Sequence, residues 1–323
     1  MTRPVFQSAL APTMRGFIEL RHSLGYRDHS LIPLLAHFDR YAVAAGHRDP
    51  WLSRDLVDGW VASTEGLKPR SRIARLNVMR GLGRYLAQTA PQTYVPVTAG
   101  LRGTSTFRPH IYTSSEIQAL LQEASRLTPG GALRPQTYVT LLGLLSCTGL
   151  RVSEALALRL SDVNLDEAIL LIRDSKFYKT RFVPLAVDVT QALAAYATAR
   201  RRFRHRTDPD APFFINEWRR PCSYPVVIAT FLGIARRAGI RGAPGQRGPR
   251  LHDLRHSFAV HRLLAWYRDG GDVQARLPLM ATYLGHVCLV STQVYLDITA
   301  ELLQEAAHRF HAPGLPAVVG GQP

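Results

Sequence analysis

Cysteine is scarce in this chain. Its three copies, Cys147, Cys222 and Cys288, are odd in number and far apart, which excludes a disulfide framework and a paired-cysteine zinc site and points to a reducing compartment. Acidic residues are also few, with 24 Asp and Glu against 40 Lys and Arg, a formal charge of +16 before histidine is counted. No apolar run approaches the ~18 to 20 residues that cross a bilayer, and Met1 to Leu10 lacks the charged-then-apolar layout of a secretion signal. The expected location is therefore the cytoplasm, with no membrane partner. Internal repeats are missing, and no cluster of carboxylates is suited to holding catalytic cations, so neither a metal nor another cofactor is expected.

What the chain does have is arginine, spread along its whole length. A surplus of this size favours a polyanionic partner, and the planar guanidinium grips a phosphate through two hydrogen bonds where an ammonium acts as a point charge. Because the charge does not mark out one amphipathic helix, nucleic acid fits better than an anionic membrane. At 323 residues and 46% hydrophobic content, two domains, each with its own core, are expected.

The first hundred residues read as helices between short breaks. Phe17, Leu20 and Leu24 share helical spacing before Gly25, and Leu31, Leu34, Leu35, Phe38, Tyr41 and Ala42 repeat it before Gly46. A shorter helix covers 54 to 63. A fourth runs from about Pro69 to about Gln88, with Ile73, Leu76, Met79, Leu82 and Leu86 near one stripe. It and its approach carry Lys68, Arg70, Arg72, Arg75, Arg80 and Arg84 without an acid between Leu67 and Gln88. A solubilising face normally mixes signs, so these residues are candidate phosphate contacts, although a charge run also serves simply as a solvated surface.

Helical periodicity lapses from Thr89 to Pro109, where Pro and Gly recur, and a linker is expected there. A second domain opens at Tyr112, with Thr113 or Ser114 able to cap a helix. Leucine-rich helix follows at about 136 to 146, then a short one from Val152. Two β-prone runs, Ala168 to Ile172 and Arg181 to Leu185, flank a polar turn and predict a hairpin, before helices resume at about Val189. The fold class is thus mainly α with a small β-sheet, α+β. The Pro/Gly-rich end, Ala312 to Pro323, receives no chemistry.

Several segments carry groups suited to chemistry, and each has a plain reading beside it. Arg151 and Glu154, in Thr148-Gly149-Leu150-Arg151-Val152-Ser153-Glu154, make an ordinary i, i+3 ion pair at a helix start. Yet a cation there opposes the macrodipole and calls for a compensating anion, a role a DNA phosphate would fill. The hairpin tip holds Lys176 and Lys179, either solubilising charges or a flexible amine within reach of a reacting group. On a helix, His252 and Arg255 share one face while Leu251, Leu254 and Phe258 turn to the core. His252 and His256 have the spacing of zinc ligands, but Asp253 stands where a metalloprotease helix needs Glu. His286 follows Tyr283-Leu284-Gly285, and Tyr295 comes nine residues later.

Taken in order, Arg151, Lys176, His252-x-x-Arg255, His286 and Tyr295 resemble the signature of the tyrosine recombinases, the phage integrase family. Lys176 followed by Lys179, Arg181 and Val183-Pro184-Leu185 looks like that family's β-hairpin, and Leu254 to Ala259 like its second arginine motif. The resemblance covers nearly the whole chain; from Gly271 to Leu284 this chain is a few residues longer than the family's usual spacing, with Arg276 and Pro278 in the excess. It implies a helical, SAM-like DNA-clamping domain over 1–105 and a catalytic domain with a C-terminal tail over 106–323.

It also implies a function: site-specific cleavage and rejoining of double-stranded DNA through a 3′-phosphotyrosine, as in integration, excision or transposition. Tyr295 would be the nucleophile. Arg151 and Arg255 would hold the phosphate, Lys176 would protonate the leaving 5′ oxygen, His252 would assist proton transfer, and His286 would hydrogen-bond the phosphate. A homo-tetramer on two DNA sites is implied, alone or with other recombinases, with segment 301–311 as a helix lent to a neighbour or packed at home. A catalytically silent DNA-binding accessory protein and a type IB topoisomerase remain the competing readings.

Overall fold

The computed structural model describes residues 5–285, apart from 27–29, 64–65, 68, 98–107, 130–131, 174–179 and 204–206, and it describes Arg70 by its backbone only. The chain divides into two compact units, Met1–Thr106 and Phe107–Pro323.

Among the described residues, four helices build the first unit: α1 (Ala11–Ser23), α2 (Leu31–Ala44), α3 (Arg54–Ala62) and α4 (Pro69–Leu86). Their core gathers Met14, Phe17, Leu35, Phe38, Trp60, Met79 and Leu82. The face of α1 differs from the sequence expectation. Ala11, Met14, Phe17 and Ile18 are buried, whereas Leu24 is 63% exposed and Leu20 is exposed too, because the i, i+3, i+4 stripe runs through Met14 and Ile18. Asp39, buried on α2, accepts hydrogen bonds from the backbone N–H groups of Gln7 and Ser8, at 2.8 and 2.9 Å, and from the Ser8 hydroxyl at 2.6 Å. These bonds tie the segment before α1 to the bundle.

In the second unit, α5 (Ser114–Ser125) starts with a capping box in which the Thr113 hydroxyl accepts from the Glu116 N–H and the Glu116 carboxylate accepts from the Thr113 N–H. The central helix is α6 (Leu133–Thr148), buried nearly all round and packed by α5, α8 (Val187–Arg202) and α10 (Asp253–Arg268). A short α7 (Val152–Leu156) leads through a 3₁₀ turn to an antiparallel sheet of order β1-β2-β3, with β1 at Val163–Asn164, β2 at Ile169–Ile172 and β3 at Arg181–Pro184. The sequence pattern predicted β2 and β3 but not the two-residue β1, which is too short to show an alternation.

Leu170 pairs with Val183, both buried, and Ile172 pairs with Arg181. Cross-strand partners share a face, so this register turns the Arg181 side chain inward with Ile172 and Val183. The unit is completed by α9 (Tyr224–Arg237) and α11 (Val273–Leu284). The stretch with excess length is α11 itself and its approach. Arg276 pairs with Asp269 at 2.9 Å and lies over the Trp266 ring, and Pro278 sits inside the helix, so the additional residues pack as helix against α10.

Candidate active site

Two helix ends create the site. An α-helix leaves its last carbonyls without intrahelical donors and concentrates negative potential there, which suits cations. α6 ends at Gly149, with φ +62°, and α11 ends at Gly285, with φ +67°. Both are left-handed caps in which glycine avoids the Cβ penalty. A side chain at Gly149 would also strike the Phe258 ring, 2.5 Å from the position of an added Cβ.

Three arginines fill the acceptors that these ends expose. Arg255 on α10, 3% exposed, donates from Nη1 to the Gly149 carbonyl at 2.8 Å and from Nη2 to the Leu284 carbonyl at 2.7 Å. Arg151, at the start of α7, donates from Nη2 to the Gly285 carbonyl at 3.1 Å. Arg181 on β3 donates from Nε to the Tyr283 carbonyl at 2.8 Å. Successive carbonyls of one helix terminus therefore hold three guanidiniums from three other elements.

Glu154 is the carboxylate among them. Its oxygens accept from Arg151 Nη1 at 2.8 Å, from the Arg151 backbone N–H at 3.0 Å, and from Arg181 Nη1 and Nη2 at 3.1 and 2.9 Å. Burial alone would raise its pKa, but the Arg181 hydrogen bonds and charge, with those of Arg151, outweigh burial and hold the carboxyl below its ordinary range. The i, i+3 ion pair expected from the sequence thus exists, yet one carboxylate serves two guanidiniums and a third lies beside them. This cluster carries a positive surplus.

His252 stands immediately before α10 and makes no side-chain hydrogen bond to the helix N-terminus. Burial first, then the charges of Arg255 and Arg250, lower its pKa and so favour the uncharged ring. His256, one turn on, meets His252 edge to face with ring centroids 5.0 Å apart; burial and then His252 push its pKa down to about 4. Asp253, buried between them in sequence, accepts from Arg250 Nη2 at 2.7 Å and from the Arg250 N–H at 2.8 Å, and so anchors this helix start. Leu251 and Leu254 are buried in the core, as their spacing predicted, while Phe258 stacks on Tyr283 at 5.7 Å.

Of the residues singled out by sequence, Arg151, His252 and Arg255 converge here. Lys176, Lys179, His286 and Tyr295 lie outside the described residues, as do Lys68 and segment 301–311. On α4, Arg72 and Arg84 are exposed and Arg80 is half-buried, while Arg75 lies over the Trp60 indole, 5.1 Å from the ring centroid. Sequence reasoning missed Arg181 as part of the site. Its position opposite Ile172 on an inward strand face was the available signal, but it needed the register. Among the described residues, no group of three or more His, Cys, Asp or Glu is arranged to hold a metal ion, and no helix is long and apolar enough to cross a membrane.

The model of the Phage integrase family matches residues 111–301. Two candidate integrase/recombinases of Sinorhizobium fredii, y4rB and y4rE, are 34% and 35% identical over 94% and 96% of this chain and 97% and 98% of their own lengths. Tyrosine recombinase XerC of Methylobacterium nodulans is 33% identical over 77% of this chain and 74% of its own. In three dimensions the chain is similar to XerH site-specific recombinase bound to its difH substrate, with TM-score 0.65, 20% identity and coverage of 93% and 84%. It is also similar to a lambda integrase dimer on a core site, with TM-score 0.61, 17% identity and coverage of 90% and 95%. The chain belongs to the phage integrase family, the tyrosine recombinases, and with it to the site-specific recombinases that break and rejoin DNA.

Proposed function

We propose that the arginine cluster at the ends of α6 and α11 is the scissile-phosphate site, and that Tyr295 is the nucleophile working against it. The observation that carries this reading is the convergence of Arg151 and Arg255 on the carbonyls of Gly149, Leu284 and Gly285, with His252 close enough to feel both guanidinium charges, and with more positive than negative charge.

A phosphodiester carries one negative charge, and a second develops on its non-bridging oxygens as the phosphorus becomes five-coordinate. Fixed guanidiniums meet that growing charge without having to reorganise, an effect worth roughly 3 kcal/mol per donor in a partly dry site. The Tyr295 oxygen forms a bond to phosphorus as the bond to the 5′ oxygen breaks, leaving a 3′-phosphotyrosine and a free 5′ hydroxyl. His252 takes part in moving the phenol proton, Lys176 supplies a proton to the departing 5′ oxygen, and His286 hydrogen-bonds a non-bridging oxygen. A 5′ hydroxyl from a partner strand then reverses the step, so the phosphodiester energy is conserved.

The acting assembly is a homo-tetramer on two double-stranded sites in the cytoplasm. Unit 1 clamps the duplex through Lys68, Arg70, Arg72, Arg75, Arg80 and Arg84, and Lys179 adds a contact from the hairpin. The wild-type chain should leave a denaturant-resistant protein–DNA adduct on nicked suicide duplexes. Tyr295→Phe should form none while binding DNA within about threefold of wild type, since a single hydroxyl is lost. Adduct formation by Tyr295→Phe at the wild-type rate refutes the assignment.

A further inference from the structure

We infer that Arg181 is a positioning residue for strand cleavage, one that sets Arg151 against the phosphate without touching the phosphate itself. This rests on the reading of Arg151 as a phosphate ligand.

Two guanidiniums share Glu154, but they differ in what they face. The Arg181 side chain is 9% exposed, against 26% for Arg151. All three nitrogens of the Arg181 guanidinium donate to protein acceptors: Nε to the Tyr283 carbonyl, Nη1 to Glu154 Oε1 and Nη2 to Glu154 Oε2. At least three of the five N–H donors of Arg181 are therefore committed to the scaffold, and the side chain is the more buried of the two, while Arg151 keeps an open side.

The fit around Arg181 is close. A Cβ added at Gly285 would lie 2.8 Å from Arg181 Nη1 and 3.0 Å from its Cζ, so a side chain there would displace the guanidinium, and the φ of +67° itself favours glycine. The strand register that turns Arg181 inward, the bare Gly285 and the buried Glu154 all serve one arrangement.

The electrostatic consequence is specific. With Arg181 present, the charge of Glu154 is divided between two cations, and Arg151 retains positive potential toward solvent. Without it, Glu154 pairs with Arg151 alone, cancels its charge and draws the guanidinium back. Arg181 also ties β3, the strand that follows the Lys176 segment, to the last turn of α11, immediately before His286 in sequence.

The test compares the full-length wild type, Arg181→Met, Arg181→Lys and Arg151→Met. The substrates are suicide duplexes built on the sequence that the wild type captures covalently, one with an ordinary scissile phosphodiester and one with a neutral methylphosphonate at that position. For Arg181→Met, single-turnover adduct formation on the phosphodiester should slow by about 10- to 100-fold, as for other groups that orient a ligand from behind. DNA affinity should stay within about twofold, because the phosphate contacts of the clamp remain. On the methylphosphonate, which presents no charge for Arg151 to meet, the loss should shrink below about threefold, and Arg151→Met should show the same pattern. Arg181→Lys, which keeps the charge but offers one ammonium to three acceptors, should fall between.

An equal loss on both substrates would mark Arg181 as merely structural and overturn the inference, as would no loss at all. Should Arg181→Met not fold, the Lys variant decides by the same ratio. A wild type that captures no DNA covalently, so that no such substrate can be built, sinks the phosphate-site reading itself, and this inference with it.

Discussion

In the first unit, Arg72 and Arg84 stand exposed on an α4 without a single acidic residue, whereas in the second Arg255 is buried and bound to two named carbonyls. The same side chain is used in opposite ways. Exposed arginines on a helix act through their summed field, tolerate exchange with one another and weaken as salt screens them. Arginines pinned between helix ends act through position; their charge is worth more in a drier setting, but only if the pinning geometry survives. The exposed arginines of the first unit are therefore expected to tolerate single substitutions and the buried arginine cluster of the second is not.

Substitutions that exchange these two roles test the contrast, and the largest effect is expected at Arg255. Arg255→Lys keeps the charge but cannot reach both Gly149 and Leu284, and adduct formation should drop by about 10²- to 10³-fold in single-turnover assays while binding persists. A drop below tenfold would mean that charge alone suffices in the buried site as well. Next comes Gly149→Ala, which adds a methyl against Phe258 at a left-handed φ and should cost on the order of 3 kcal/mol in denaturant unfolding. A neutral result would show that the α6 end can relax.

In the first unit, the Arg72→Gln/Arg84→Gln pair should leave adduct chemistry intact at saturating protein. It should reduce the slope of log K against log salt by about 0.9 for each lost phosphate contact. An unchanged slope would mean that these arginines only face solvent. The smallest effect is on stability against pH. His256 has its folded pKa lowered to about 4 from an ordinary 6.5, so the unfolded chain binds the extra proton between these values. Its contribution is then complete above pH 6.5 and lost as pH falls toward 4, lowering the melting temperature; His256→Gln should flatten that slope, and an unaltered slope would assign it to other groups.

Legibility differed between the units for a physical reason. Helices α1 to α4 follow from apolar spacing and Gly breaks, signals that act within a few residues, although α1 shows that spacing alone does not choose which apolar face is buried when Met14 and Ile18 compete with Leu20 and Leu24. In the second unit the motif residues were visible one by one. Arg151, His252 and Arg255 were chosen by their type and order, and each has a bland local interpretation. The Arg151–Glu154 pair was legible because i, i+3 neighbours meet on any helix. Arg181 was not, since its partner Glu154 is 27 residues away and its inward face depends on pairing with Ile172.

By itself, the sequence determined the helical bundle, the hairpin, the arginine-rich character and the ordered set of reactive side chains, because these follow from local periodicity, composition and residue type. Only the tertiary structure decided that two helix ends, capped at Gly149 and Gly285, meet within reach of Arg151, Arg181 and Arg255, with one carboxylate shared between two of them. The reason is that an unsatisfied carbonyl at a helix terminus has no preferred partner along the chain. Which donor reaches it is settled by the packing of distant elements, where burying a charge is tolerable only once every such bond is made.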